Sequence, residues 1–399
     1  MLGALSPGLT EISHIAPGAD VASTLACVAA LGATVDRPAS GVVRILGVGA
    51  AGLRTPQAPL DAGNSGTTMR LLAGLVAGFP VRVRLDGDAS LGRRPMRRVI
   101  EPLMAMGARI TSNGGHPPLD IEGGSLRPIR WQSPVASAQV KSAILLAGLR
   151  ADGTTTVVEP MATRDHTERA LPAFGVSCRV NGLAVSIDGG QPLETPTGVL
   201  TVPGDPSSAA VWAAAAAALP GSSVILEAVG CNPHRLGFLG ALERLGAIVE
   251  CHEDGVVAGE PVGRISVSHG GHRATSIGAS EVPGLIDELP VLAARAALGG
   301  ELEVTGASEL RVKESDRISA LVTGFRALGV DARELADGFI IHGTRQPSGG
   351  TADAAGDHRL VMAFTLVALG ASGPSAITDA GVVSVSYPTF ERDLASLTV

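Results

Sequence analysis

Long apolar stretches recur along the chain, and each begins with a polar cluster and ends near a glycine. Their Ala- and Leu-rich interiors have the length of a helix, and the apolar residues occupy all of its faces. A helix that is apolar all round is expected to be buried. The pattern predicts five buried helices, in GNSGTTMRLLAGLVAG, ASAQVKSAILLAGLRADG, GDPSSAAVWAAAAAALPG, IDELPVLAARAALGG and GDHRLVMAFTLVALGASG.

Amphipathic segments alternate with these buried helices, and most of them close on Leu-Gly or Met-Gly, a glycine stop typical of helix ends. Strand-like stretches such as VRVRLDG, TTTVVEP, SSVILEAV and ELEVTGA lie between them. The spacing of roughly 70 residues predicts a repeated α/β subdomain. Six surface helices are predicted, in DVASTLACVAALGA, RRPMRRVIEPLMAMGA, DHTERALPAFGV, NPHRLGFLGALERLGA, KESDRISALVTGFRALGV and YPTFERDLASL.

The first residues, MLGALSPG, resemble the closing half of the buried helices, as in LLAGLVAG and LVALGASG. Six surface helices call for six buried ones. We therefore expect this segment to be the tail of a first buried helix whose polar front end is absent.

Composition narrows the class of protein. A chain of 399 residues suffices for two or three domains, and its formal charge of -7 offers no basic footprint for nucleic acid. The four cysteines have no metal-ligand spacing, which favours a reducing compartment. The longest apolar run falls short of the ~20 residues that a membrane span needs. We therefore expect a cytoplasmic protein that binds neither membrane nor nucleic acid.

The polar clusters at the starts of the buried helices are candidate anion sites, because a helix N-terminus presents free N–H groups and positive dipole. Ordinary capping is the alternative. It carries equal weight for residues 205–208, whereas function is favoured for the acidic pair 287–288 and the triplet 357–359. The residues concerned are Asn64, Ser65, Thr67, Thr68, Ser137, Gln139, Asp205, Ser207, Ser208, Asp287, Glu288, Asp357, His358 and Arg359.

Two charged runs also open helices in the sequence pattern. RVKESDR would place Lys313 and Arg317 on one helix face, four residues apart, with Glu314 three residues from Arg317. A solvated charged face is the alternative to an anion-binding edge. In GRRPMRRV, Arg93, Arg94, Arg97 and Arg98 cluster at a predicted helix start, where cations oppose the dipole and a bound anion is expected to hold some of them.

One motif is a decoy. GVGAAG follows a strand-like segment and matches the dinucleotide fingerprint at Gly47, Gly49 and Gly52. The next residues carry two prolines and no helical period, so the strand–turn–helix context fails.

Taken in order, four motifs carry a family resemblance: GNSGTTMRLL, SAQVKSAILLAGL, RVKESDRISAL and GDHRLVMAF. The chain resembles the 5-enolpyruvylshikimate-3-phosphate synthase family of enolpyruvyl transferases over its whole length. The resemblance implies an α/β fold of two domains, an inside-out α/β barrel with six βαβαββ repeats, the first one truncated. It implies domains over 1–201 and 202–399, with the active site in the cleft between them.

The implied reaction joins the 5-hydroxyl of shikimate 3-phosphate to C2 of phosphoenolpyruvate and then expels phosphate, through a tetrahedral intermediate. The resemblance implies no metal and no organic cofactor, and a monomer with these two substrates as its partners. Such polyanions require cationic side chains and helix N-termini beside one acid and one base.

By position, Asp287 resembles the base that takes the hydroxyl proton, and Glu314 the acid that protonates the methylene carbon, with Lys313 beside it. His358 resembles a supporting residue, and a neutral buried histidine is its alternative. Shikimate 3-phosphate would be bound by Ser137, Ala138, Gln139, Thr163, Asp287 and Lys313. Phosphoenolpyruvate would be bound by Asn64, Gly66, Arg94, Gln139, Arg317 and Arg359.

The chain departs from the family pattern in several places. A Lys-Ser-x-x-x-Arg segment expected at the start is lacking. Many members place a lysine by the small-substrate site near the C-terminus, whereas 382–388 contains no lysine. Thr163 stands where serine is usual, and Leu71 where proline is common. Arg93 or Arg97 would compensate for lost contacts. Glyphosate occupies the phosphoenolpyruvate site in typical members. Because this site is altered at its glycine turn and lacks two lysines here, we expect inhibition by glyphosate to be weaker.

Two alternatives remain. The related UDP-N-acetylglucosamine enolpyruvyl transferases use a loop cysteine as acid, and none of the four cysteines falls in the corresponding segment GDASLGRRPM. A catalytically inactive homologue that binds shikimate 3-phosphate is the second alternative. The presence of Asp287, Lys313, Glu314 and three arginines, Arg94, Arg317 and Arg359, argues against it.

Overall fold

The computed structural model describes residues 1–397, and its internal contacts divide the chain into two compact units. Unit 1 comprises Met1–Val202 together with Val257–Glu260, and unit 2 comprises the other described residues from Pro203 onward. Each unit has a hydrophobic core of its own, built mainly from Ala, Leu and Val.

Unit 1 contains three four-stranded sheets, ordered β12-β1-β3-β2, β4-β5-β7-β6 and β10-β11-β9-β8. Its helices are α1 Leu2–Leu5, α2 Ala19–Ala30, α3 Gly66–Ala77, α4 Ala89–Gly92, α5 Arg97–Met106, α6 Ala138–Gly148 and α7 His166–Ala170. Its strands are β1 Leu9–Ser13, β2 Thr34–Ala39, β3 Val42–Leu46, β4 Leu60–Asp61, β5 Arg82–Asp86, β6 Arg109–Asn113, β7 His116–Glu122, β8 Arg130–Gln132, β9 Thr154–Val158, β10 Cys178–Asn181, β11 Ala184–Asp188 and β12 Val199–Thr201.

Unit 2 contains three further sheets, ordered β13-β15-β14, β16-β17-β19-β18 and β20-β21. Its helices are α8 Pro206–Ala218, α9 Gly237–Arg244, α10 Val282–Leu285, α11 Leu289–Ala297, α12 Arg317–Ala327, α13 His358–Leu369 and α14 Phe390–Leu397. Its strands are β13 Ser223–Gly230, β14 Ile248–Val257, β15 Glu260–Ser268, β16 Ala274–Ile277, β17 Glu301–Val304, β18 Asp331–Leu335, β19 Gly338–His342, β20 Gly350–Asp353 and β21 Ser375–Thr378.

The same motif recurs in both units. A buried helix joins two parallel strands, as α3 joins β4 to β5 and α11 joins β16 to β17. An amphipathic helix and an antiparallel hairpin follow, as α5 precedes β6 and β7. The predicted family fold is therefore confirmed as a mixed α/β structure of repeated units. Its strands form six separate sheets within the described chain, none of which closes into a barrel.

All five apolar segments form the predicted buried helices: α3, α6, α8, α11 and α13. They pack closely where glycine replaces a side chain. A Cβ on Gly74 of α3 would lie only 2.1 Å from the carbonyl oxygen of Ala143 in α6. The segment Leu2–Leu5 is also helical, and Gly3, Ala4 and Leu5 are buried.

Two further predictions concern segments outside these helices. A short 3-10 turn, Gly49–Ala51, and not an α-helix follows β3, so GVGAAG does not stand in the strand–turn–helix context of a dinucleotide site, as the sequence predicts. Within residues 1–397, no helix combines the length and the apolarity that crossing a bilayer demands.

Candidate active site

In unit 1, the turn at 64–66 opens α3. Ser65 caps the helix, because its Oγ accepts from the Thr68 amide at 3.1 Å. The Asn64 side chain accepts from Arg94 Nη2 at 2.6 Å and donates to Asp88 Oδ2 at 2.7 Å. Arg94 is only 7% exposed. Asn64 of the turn therefore holds the nearly buried guanidinium of Arg94 next to the N–H groups of a helix start.

Gly66 makes room for two arginines. A Cβ at this position would lie 3.1 Å from Arg70 Nη1 and 3.3 Å from Arg94 Nη1. Both guanidinium groups thus approach the first residue of α3, where the helix dipole is positive. Two cations beside a helix N-terminus form a cradle for a small anion such as a phosphate or carboxylate.

The start of α6 is tied to the same turn. Gln139 donates through Nε2 to Thr67 Oγ1 at 2.7 Å, and its Oε1 accepts from Arg70 Nη1. Ser137 occupies the N-cap position of α6, and Ser137, Ala138 and Gln139 are all half-buried. The structure therefore brings Gln139 close to the Asn64, Gly66 and Arg94 cluster.

Thr163 is buried and belongs to a network that extends behind the start of α6. Its Oγ1 donates to Glu159 Oε1 at 2.5 Å. Glu159 in turn forms an ion pair with Lys141 of α6 at 2.9 Å, and Lys141 pairs with Glu168 at 2.8 Å.

In unit 2, Asp287 lies at the centre of a cluster of cations. Its Oδ1 is 3.6 Å from Lys313 Nζ, 3.9 Å from Arg317 Nη1 and 3.9 Å from Arg359 Nε. Arg359 also donates to the Asp287 backbone carbonyl at 3.0 Å. The adjacent Glu314 accepts from Arg317 Nη2 at 2.5 Å. Two carboxylates, a lysine and two arginines therefore meet in one place.

Arg317 is held by a second, fully buried carboxylate. It donates to Asp357 through Nε at 2.8 Å and through Nη2 at 3.2 Å, and its side chain is 1% exposed. Burial alone would lower the pKa of Arg317, but Asp357 and Glu314 outweigh it and raise this pKa above its usual value. Asp357 also caps α13, because it accepts from the Arg359 amide at 3.0 Å.

Burial shifts two neighbouring groups toward their neutral forms. It lowers the pKa of Lys313, and Arg317 lowers it further, against the opposing effect of Asp287. Burial, reinforced by Arg359, lowers the pKa of His358 to about 4. The half-buried His358 is therefore a neutral imidazole at pH 7.

Comparison with known proteins agrees with this geometry. The family model described as EPSP synthase (3-phosphoshikimate 1-carboxyvinyltransferase) matches residues 1–394. The chain belongs to the EPSP synthase family.

Individual relatives support the assignment along the whole chain. The 3-phosphoshikimate 1-carboxyvinyltransferase of Akkermansia muciniphila is 47% identical, and the alignment covers 99% of this chain and 93% of the relative. That of Methylococcus capsulatus is 49% identical, with 98% and 89% covered. A solved structure of EPSP synthase from Acinetobacter baumannii superposes with a TM-score of 0.87 at 40% identity, with 100% of this chain and 92% of that chain covered.

One prediction about this EPSP synthase family site needs correction. Lys313 and Arg317 do not share a helix face, because α12 begins only at Arg317. Asp316 caps that helix by accepting from the Ser319 amide at 3.2 Å, so Lys313 and Glu314 lie in the preceding loop. The predicted i,i+3 pair between Glu314 and Arg317 is nevertheless present.

The prediction that the four arginines of GRRPMRRV cluster at a helix start needs correction. Arg93 is the C-cap of the short helix α4, where a cation complements the dipole, and Arg94 follows it. Only Arg97 and Arg98 belong to the first turn of α5, and Arg97 donates to the Gly114 carbonyl at 3.2 Å. The prediction that all four lie at one unfavourable helix end is therefore wrong, and that a bound anion holds some of them stays a prediction.

At the start of α8, capping and a further contact coexist. Asp205 accepts from the Ser208 amide at 3.1 Å, as the capping interpretation predicts. It also accepts from Arg235 Nη2 at 2.9 Å.

None of the four cysteines lies in the segment GDASLGRRPM at 87–96, where the related transferases have their catalytic cysteine, and burial raises the pKa values of two of them. Burial, with Asp61, raises the pKa of Cys27 to about 11, and burial, with Cys251, raises the pKa of Cys231 to about 12. These thiols are therefore protonated at pH 7, unlike a cysteine that serves in catalysis.

Sequence analysis missed Arg70 and Asp88 beside the candidate site, and it missed the buried network behind the site, formed by Lys141, Glu159 and Glu168. A signal for two of them was present. Arg70 and Lys141 are charged residues inside helices that are otherwise apolar all round. A charge in such a helix must find a partner when it is buried, so it indicates a buried polar network.

Proposed function

We propose that this chain is a 3-phosphoshikimate 1-carboxyvinyltransferase, which transfers the enolpyruvyl group of phosphoenolpyruvate to the 5-hydroxyl of shikimate 3-phosphate and releases phosphate. The observation that carries the proposal is the cluster of Asp287, Lys313, Glu314 and Arg317 in unit 2. It supplies both proton carriers and cations for a reaction between two polyanions.

The proposed chemistry has two stages. Asp287 takes the proton of the 5-hydroxyl, the oxygen attacks C2 of phosphoenolpyruvate, and Glu314 delivers a proton to the methylene carbon. The resulting tetrahedral intermediate then loses a proton from the new methyl group and expels phosphate, which restores the carbon–carbon double bond and leaves the enol ether. Lys313, 3.6 Å from Asp287 and with a lowered pKa, is placed to assist these proton transfers.

The binding roles are divided between the two units in this proposal. Arg94, with Asn64 and Gly66, would hold an anionic group of phosphoenolpyruvate together with Gln139, Arg317 and Arg359. Ser137, Ala138, Gln139 and Thr163 would hold shikimate 3-phosphate with Asp287 and Lys313. We further propose that the two portions face one cleft between domains at 1–201 and 202–399, in a cytoplasmic monomer.

The test is release of inorganic phosphate by the purified chain with both substrates, with either one omitted as control. Phosphate release that requires both, together with an enolpyruvyl product identified by mass, is the expected result. Binding of shikimate 3-phosphate without turnover would support the inactive alternative. Weak inhibition by glyphosate stays a prediction, and inhibition near the KM for phosphoenolpyruvate would contradict it.

A further inference from the structure

Three charged side chains are buried together in unit 1, and none of them has a role in the proposed reaction. Lys141 of α6, Glu159 after β9 and Glu168 of α7 are respectively 2%, 4% and 7% exposed. The Lys141 ammonium lies 2.9 Å from Glu159 and 2.8 Å from Glu168. A buried ion network is costly to desolvate and contributes little net stability compared with apolar packing. Its presence therefore calls for a reason other than stability.

Lys141 carries a positive charge in this network. Burial alone would lower the pKa of Lys141, but Glu168 and Glu159 outweigh it and raise this pKa above its ordinary value. Lys141 is therefore a cation at neutral pH. It holds both carboxylates in place from the first turns of α6.

The network links the two segments predicted to bind shikimate 3-phosphate. The Lys141 amide donates to the Ser137 carbonyl at 3.1 Å, which places the lysine one helical turn below the start of α6. Its ammonium lies 3.5 Å from the Thr163 carbonyl oxygen. Through Lys141, the position of Thr163 is thus set relative to that of Ser137.

Glu159 determines what the Thr163 hydroxyl presents to its surroundings. A threonine hydroxyl has one proton and two acceptor lone pairs. The single proton is donated to Glu159 at 2.5 Å, so the direction of the hydroxyl is fixed. Hydrogen bonds to a charged acceptor are among the stronger ones, which makes this orientation hard to change.

We propose that Glu159, held by Lys141, is a positioning residue that fixes Thr163 for binding shikimate 3-phosphate. The inference rests on the proposed function, since it assigns a further residue to the same site. Glu159 acts through Thr163 and does not itself touch the substrate.

The structure offers a matched pair of variants for the test. Glu159→Gln and Glu168→Gln remove the same charge from carboxylates that pair with the same lysine at similar depth, but only Glu159 contacts Thr163 among the described hydrogen bonds. Glu159→Gln is expected to raise the Kd for shikimate 3-phosphate about tenfold. Glu168→Gln is expected to change it less than twofold, while both variants lower Tm similarly. For Glu159→Gln, kcat and the KM for phosphoenolpyruvate should stay within about twofold of wild type.

Equal weakening by both variants, or no weakening by Glu159→Gln, would overturn the proposal, because the network would then be only structural. Thr163→Val keeps the shape and removes the hydroxyl, and it is expected to give the same tenfold rise. In that background, Glu159→Gln should have no further effect on the Kd. An unchanged Kd for Thr163→Val overturns the proposal even where Glu159→Gln does not fold.

The wild-type protein separates this inference from the proposed function. Wild type that neither binds shikimate 3-phosphate nor releases phosphate would refute the function itself. Wild type that binds and turns over, with Glu159→Gln indistinguishable from Glu168→Gln, would refute only the role of Glu159.

Discussion

The two clusters of candidate site residues, one in each unit, hold their arginines in different ways. In unit 1, Arg70 and Arg94 donate to the amide oxygens of Gln139 and Asn64. In unit 2, Arg317 donates to the carboxylates of Asp357 and Glu314. An amide oxygen orients a guanidinium without neutralising it, whereas a carboxylate offsets its charge.

This difference indicates a division of labour between the units. The unit 1 residues have no proposed part in proton transfer, so unit 1 is expected to contribute mainly to substrate affinity. In unit 2, the cations surround Asp287 and Glu314, the two groups proposed to carry protons. Variants of Asp287 and Glu314 should therefore affect kcat, whereas variants of the unit 1 arginines should affect KM.

The largest effect is expected for Glu314→Gln. The amide retains an acceptor for Arg317 but cannot deliver a proton, so kcat should fall by about 10²- to 10⁴-fold, the usual contribution of a general acid. Steady-state phosphate release measures kcat, and the Kd for shikimate 3-phosphate should change little. Glu303→Gln, at an exposed position on β17, is the control. A loss confined to KM would break the proposed division.

Asp357→Ala is expected to act through folding. It leaves the buried guanidinium of Arg317 without its bidentate partner, and removing one member of a buried ion pair costs about 3–5 kcal/mol in the free energy of unfolding. Urea unfolding measures the loss. Asp316→Ala removes an exposed helix cap nearby and should cost only about 1 kcal/mol. Equal losses for the two variants would show that the pair with Arg317 adds nothing to the cap.

A smaller, selective effect is expected for Arg94→Gln in unit 1. Loss of a charge-assisted contact of about 1.5–3 kcal/mol should raise the KM for phosphoenolpyruvate about 10- to 100-fold, with kcat far less affected. Arg93→Gln is the matched control, because Arg93 is the exposed neighbour. Similar KM values for the two variants would contradict the role of Arg94 and support compensation by Arg93.

These contrasts also show what the sequence could and could not predict. The buried helices were predictable because their apolar residues and glycine stops are local features, and α3 and α6 begin close to the expected positions. The charged residues at the starts of the buried helices α11 and α13 identified Asp287 and Arg359 as candidates, and the charged run RVKESDR identified Arg317.

The remaining features depend on contacts between distant segments. Lys141 and Glu159 are 18 residues apart, and their pairing depends on how α6 packs against β9. The start of α12 was misplaced because Asp316, not Lys313, caps the helix. Periodicity identifies a helix but does not determine which of several polar residues before it becomes the cap.

The smallest effect concerns the dependence of stability on pH. His358 has a pKa of about 4 in the folded chain, below its ordinary value of 6.5, so between these values the unfolded chain binds more protons. Stability is therefore lost as the pH falls through this window, by about 1 kcal/mol at about pH 5.5.

His358→Gln should remove that part of the loss, measured by urea unfolding at pH 7 and 5.5. His252→Gln, at an exposed site, is the control. If the two variants lose stability equally on acidification, the imidazole of His358 is not held neutral by burial, and the polar cluster of unit 2 is more open to water than its geometry indicates.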